Sequence, residues 1–93
     1  MPMTYAEVCA ELLALGGVEI APGIFVMPTP ELRLTAEQDY TVNGVTYEGA
    51  VTAQAWTRDD NYVATFYVIG RWQVAGMLPA LSDEAVALAG GTP

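Results

Sequence analysis

An α+β fold, with an N-terminal helix packed on a four- to five-stranded antiparallel β-meander and a short C-terminal helix, is what this sequence predicts, and three features predict it. Thr4-Tyr5-Ala6-Glu7 is a helix start signal followed by apolar residues on one side. Asn43-Gly44 sits between two alternating runs and marks a tight hairpin. Ala50 to Ala75 is rich in β-branched and aromatic residues and carries a turn signal at Arg58-Asp59-Asp60-Asn61. With 93 residues the chain makes one domain, residues 1–93.

At the N-terminal end, the Thr4 hydroxyl can accept from the Glu7 amide while the Glu7 carboxylate accepts from the Thr4 amide. Met3 and Val8 occupy the two positions of a hydrophobic staple. Tyr5, Val8, Cys9, Leu12, Leu13 and Leu15 share one side, and Glu7 and Glu11 share the wet one. Gly16-Gly17 supplies the left-handed residue that stops such a helix, so the spacing predicts a helix from Thr4 to Leu15.

Val18 to Ala21 and Ile24 to Met27 read as short strands about Pro22-Gly23, a pair suited to a type II turn. Pro28-Thr29-Pro30 then takes the chain out of the sheet or along its edge, because neither proline can donate to a ladder. Glu31 to Gln38 is expected to be a connector holding at most one helical turn, since Thr35 and Gln38 repeat the capping spacing.

The Asn-Gly hairpin has a register that can be written down. Val42 opposes Val45, Thr41 opposes Thr46, Tyr40 opposes Tyr47 and Asp39 opposes Glu48, so two Val and two Tyr share a face. The second arm is expected to run on to Ala55 or Trp56, turn, and return from Tyr62 to Ala75. Pairing Thr57 with Tyr62 would set Ala53 against Phe66, Val51 against Val68 and Gly49 against Gly70, extending the Tyr and Val face toward Trp72 and Val74 as the core face. Met77 to Leu81 then leaves the sheet at Pro79. Ser82 caps a short last helix that Gly90-Gly91 ends.

Composition narrows function. The chain has no histidine and no lysine, and its 3 arginines face 11 carboxylates for a net charge of −8. The usual general base and proton shuttle is therefore missing. Arg33, Arg58 and Arg71 are too few and too scattered for counterion release at phosphates, which argues against direct nucleic-acid binding and against docking on anionic lipid. No apolar run reaches the roughly 18 residues of a spanning helix. The N-terminus lacks the basic and apolar segments of a signal peptide, and Cys9 alone cannot form an internal disulfide, so a cytoplasmic location is expected. Apolar residues make up 53% of so small a chain. Burial against a second copy or a partner follows as the expectation, with a homodimer favoured.

Under the same register the second face of the meander carries Ala50, Thr52, Gln54, Trp56, Val63, Thr65, Tyr67, Ile69, Arg71 and Gln73. Aromatic and apolar side chains set among Thr, Gln and one Arg resemble an association surface, so Trp56, Val63, Tyr67, Ile69 and Arg71 are the candidate protein-contact residues. The competing reading makes this face a second core layer covered by the terminal elements. Asp39, Glu48, Asp59 and Asp60 are candidate acidic contacts. Asp39 opposite Glu48 brings two like charges together, which a partner's arginine would relieve.

Asp59-Asp60-Asn61 lacks the 12-residue loop of an EF-hand and reads as turn chemistry. No string for zinc, acyl transfer, nucleoside triphosphate or dinucleotide occurs, so no catalytic residue, metal or cofactor is assigned and an enzyme is not expected. The expected function is a small acidic binding protein that inhibits or adapts a protein target. A compact acidic chain of this kind resembles, in type, phage-encoded anti-defence proteins, including anti-CRISPR inhibitors; no motif carries that resemblance. Two other classes stay open. A nucleotide-binding or sponge module would stack its ligand on Tyr40, Tyr47, Trp56, Tyr67 or Trp72 and hold the anion with Arg33, Arg58 or Arg71. A structural subunit of a phage assembly would grow by strand addition.

Overall fold

Helix α1 (Tyr5–Ala14) begins where the capping box sets it, with Glu7 N donating to Thr4 Oγ1 at 3.2 Å and Thr4 N donating to Glu7 Oε1 at 2.8 Å. It stops in a Schellman arrangement. Gly17 N donates to the Leu12 carbonyl at 2.9 Å and Gly16 N to the Leu13 carbonyl at 3.0 Å, with Gly16 at φ +94°. In this computed structural model of the chain, residues 4–48, 50–70 and 73–90 are described, residues 39, 40, 42, 47 and 48 by their backbone alone.

Strands β1 (Val18–Ala21) and β2 (Ile24–Val26) form the expected antiparallel pair about Pro22-Gly23. Gly23 has φ +77°, and a Cβ there would strike the Tyr5 hydroxyl, so this turn is held tight against α1.

The expected connector is instead a strand, β3 (Leu32–Ala36). Its five residues alternate strictly, Leu32, Leu34 and Ala36 buried and Arg33 and Thr35 half-buried, and that period of two suits a strand with one face on the core. It pairs with β2 on one side and β6 (Ala50–Trp56) on the other. With β7 (Tyr62–Gly70) the sheet order is β1-β2-β3-β6-β7, every neighbour antiparallel.

Strands β4 (Asp39–Val42) and β5 (Val45–Glu48) pair in the register read from Asn43-Gly44, with Asn43 at φ 50° and Gly44 at φ 78°. They form a two-stranded sheet of their own instead of extending the core face. Ala36 with Val51 and Asp39 with Glu48 are in the same register, and Glu37 N donates to the Ala50 carbonyl at 2.9 Å between them. The pair is thus the outer half of one long hairpin, carried as an arm; Val45 on it is 51% exposed.

The return strand departs from the expected register because β7 holds two extra residues. Trp56 pairs with Tyr62, Ala55 with Ala64, Gln54 with Thr65 and Ala53 with Tyr67, so Val63 and Phe66 are bulged out of the ladder. Only the middle of the expected register survives, and beyond Phe66 the alternation is inverted. The strand also ends at Gly70 instead of Ala75.

Helix α2 (Val74–Leu88) replaces the short helix expected from Ser82 and runs through Pro79. Proline in a helix interior costs about 3 kcal/mol. Against that stand Val74, Leu81 and Ala85, all buried, and the half-buried Met77 and Leu78, each large side chain contributing about 1.5–3 kcal/mol when fully covered. Burial wins, and Pro79 itself is exposed.

Both helices lie on one side of the sheet. Val8 and Leu12 of α1 and Val74, Leu81 and Ala85 of α2 share a single core with Phe25, Leu32, Leu34, Val51, Ala53, Ala55 and Ile69. The small Ala53 and Ala55 let α2 come close. No helix among the described residues is long and apolar enough to cross a membrane.

Candidate functional site

Because successive strand residues point to opposite faces, the residues between the core positions define the side of the sheet that neither helix covers, the uncovered side. These are Ile24 and Val26 on β2, Arg33 and Thr35 on β3, Thr52, Gln54 and Trp56 on β6, and Tyr62, Thr65 and Val68 opposite them on β7. A polar network crosses its centre. Thr35 Oγ1 donates to Gln54 Oε1 at 3.0 Å, Gln54 Nε2 to Thr52 Oγ1 at 2.7 Å, and Thr52 Oγ1 to Glu37 Oε2 at 3.1 Å. Thr52 is buried beneath these neighbours. Tyr62 and Thr65 join hydroxyls at 2.9 Å.

The end of this face near the β6–β7 turn concentrates its charged and aromatic groups. The Arg33 guanidinium lies 3.7 Å from the centre of the Trp56 ring, and Tyr62 meets Trp56 edge-on at 5.5 Å. Arg33 is also paired with Asp60 of the turn. Trp56 N donates to the Glu31 carbonyl at 2.9 Å, which holds Glu31 beside Trp56. Glu31 is 4% exposed and accepts from Arg58 Nε at 2.8 Å. That hydrogen bond lowers the Glu31 pKa, outweighing the opposing push of burial.

The turn is therefore fastened twice, by Arg58 to Glu31 and by Asp60 to Arg33. Asp60 has φ 70°, a left-handed conformation that aspartate tolerates better than most residues. Beneath the fastenings, Glu31 Oε1, Arg33 Nε and Trp56 Nε1 are buried and, among the described residues, have no hydrogen-bond partner. One acceptor and two donors are thus gathered at a single corner, and Arg58 and Asp60 lie on its outer side, 74% and 80% exposed.

Of the residues singled out from sequence, Trp56 stands on the uncovered face. Val63 is a bulged residue on β7, 37% exposed. Tyr67 pairs with Ala53 and so lies on the helix side, half exposed at the free edge. Ile69 pairs with Val51 and is buried in the core; the bulge at Phe66 turns both residues over from the face on which they were expected. Arg71 and Trp72 lie outside the described residues. Asp39 and Glu48 are opposite each other in the ladder, and their side chains lie outside the described residues. Asp59 is exposed, and Asp60 is the partner of Arg33.

Sequence reasoning missed Arg33 as the stacking partner of Trp56, and with it Glu31 and Tyr62. The signal was the Leu-Arg-Leu-Thr-Ala alternation, which sets Arg33 on the face opposite the leucines. Among the described residues no three His, Cys, Asp or Glu side chains converge as a metal site. Comparison with protein families, characterised proteins and solved structures found no match to this chain.

Proposed function

We propose that this protein is a non-enzymatic binding module that engages a protein target, as an inhibitor or adaptor, through the uncovered face of its five-stranded sheet. The observation that carries the reading is Trp56, stacked under Arg33 and flanked by Tyr62 at the rim of a face neither helix covers. Trp, Tyr and Arg are the residue types that dominate binding energy at protein interfaces. A net charge of −8 steers the module toward a target with a basic surface. Movement of the Arg58–Asp60 turn on docking would also bring the buried Glu31, Arg33 and Trp56 atoms within reach of new partners.

The test is affinity capture from a lysate of the source cells with the parent protein and with Trp56→Ala. The target should be retained by the parent and lost with the variant, a weakening of about 2 kcal/mol or more. Equal capture by both removes this face from consideration. A second copy is the competing occupant, and sedimentation of the purified chain with and without Trp56→Ala identifies it: a dimer that dissociates on substitution gives the face to self-association.

A further inference from the structure

On the other side of the sheet, Phe66 and Tyr67 of β7 and Met77, Ala80, Leu81 and Glu84 of α2 line a groove of about 260 Å³. Met77, Ala80, Leu81 and Glu84 follow the spacing that sets them along one stripe of the helix. Among the described residues β7 is the last strand of the sheet, with β6 on one side and no strand on the other. Its nine residues contain no Lys, Arg, Asp, Glu or Pro, the residues that ordinarily guard a free edge. The bulges at Val63 and Phe66 disturb the first part of that edge. From Tyr67 to Gly70 the ladder is regular, and alternate backbone N–H and C=O groups face outward there. A regular free edge beside a helix-walled apolar groove is the geometry in which an added strand gains main-chain hydrogen bonds while one of its side chains is buried.

We propose that the β7 edge and the β7–α2 groove together accept an extended peptide segment of a partner protein as a sixth strand, with an apolar side chain in the groove and a basic residue beside it facing Glu84. Charge selects this occupant. Glu84 is the charged residue of the groove, and a chain of net charge −8 with 3 arginines has little to offer it from a second copy. A partner strand carrying arginine or lysine supplies the complement. The proposal is separate from the reading of the uncovered face, since Trp56 and Arg33 lie on the opposite side of the sheet.

The probe is a capped synthetic peptide of alternating valine and threonine with one leucine and one arginine, titrated into the isotope-labelled full chain against a counterpart carrying glutamate for arginine. The arginine peptide should shift the amides of Tyr67 to Gly70 and the methyl groups of Met77, Ala80 and Leu81. It should bind about two- to fivefold more tightly than the glutamate peptide, the scale of one exposed ion pair. Glu84→Gln should abolish that preference, and Glu11→Gln, which removes an equal charge on α1, should keep it. Ala80→Gln, at an exposed helix position, should block the groove and weaken binding about tenfold, roughly 1.4 kcal/mol, with the melting temperature unchanged.

Absence of these shifts at about 1 mM peptide, the weak end of specific recognition, overturns the proposal. A charge preference indifferent to Glu84→Gln does so equally. Concentration-dependent protection of the Tyr67 to Gly70 amides without peptide would give the edge to a second copy and overturn it as well. None of these outcomes bears on capture through Trp56.

Discussion

Strand β6 has two differently composed sides. Toward the helices it presents Val51, Ala53 and Ala55, each 0% exposed, and toward the uncovered side Thr52, Gln54 and Trp56. The first side is dry and closely packed, and its cost of change is the cost of making a cavity. The second is tied by side-chain hydrogen bonds, an ion pair and ring contacts that compete with water, so each is worth far less to stability. Stability is concentrated on one face, which leaves the composition of the other less constrained by folding.

That contrast is sharpest at two successive residues of β3. Leu34→Ala should destabilise the fold by about 2–5 kcal/mol, the range for a buried leucine. Thr35→Ala, one position on and facing the other way, should cost about 1 kcal/mol or less. Denaturant unfolding of both variants measures the difference, and similar losses would break the distinction between the faces. Gly23→Ala should lie between them at about 1–3 kcal/mol, from a strained positive φ and the collision with Tyr5.

Arg58→Ala tests the corner where the uncovered face holds a buried charge. It leaves the Glu31 carboxylate without its cation and should cost about 1–3 kcal/mol at neutral pH. Because the folded pKa of Glu31 is lowered, the pair stabilises fully above the ordinary glutamate value of about 4.3. Its contribution is lost as pH falls through the lower folded value. Parent and Arg58→Ala stabilities should therefore converge on acidification below that range; a constant gap would show that Glu31 is not the group responsible. The smallest effect belongs to the Arg33–Trp56 stack, for which a double-mutant cycle should give a coupling of about 0.5–1 kcal/mol. A coupling near zero would reduce that stack to mere proximity.

Legibility followed the range of the interactions. Helix α1 and the arm were readable because their signals are local: a hydroxyl and a carboxylate three residues apart, and an Asn-Gly pair that accepts positive φ. β3 was obscured by Pro28 and Pro30 before it and by a charged residue at its second position, although Arg33 simply points away from the core. The bulges at Val63 and Phe66 leave no mark in composition, yet the second decides that Ile69 belongs to the core and Tyr67 to the helix side. α2 was hidden by Pro79, whose local penalty is overcome by burial that only the assembled sheet provides. The candidate site shared this fate. Trp56 stood out by type, whereas its partners Arg33 and Glu31 reach it only once β3 and β6 are neighbours.

The arm has a consequence for how such a chain can change. β3 and β6 are already joined through Ala36 and Val51, and through the Glu37 to Ala50 hydrogen bond, before the arm begins. The ten residues from Asp39 to Glu48 hang from a closed ladder, and altering the length of such an excursion costs only about 0.6 kcal/mol per doubling. Insertions, deletions and grafted sequences can accumulate there while the helix-covered core stays as it is, which makes this outer hairpin the natural place for descendants of the chain to diverge in length and reach.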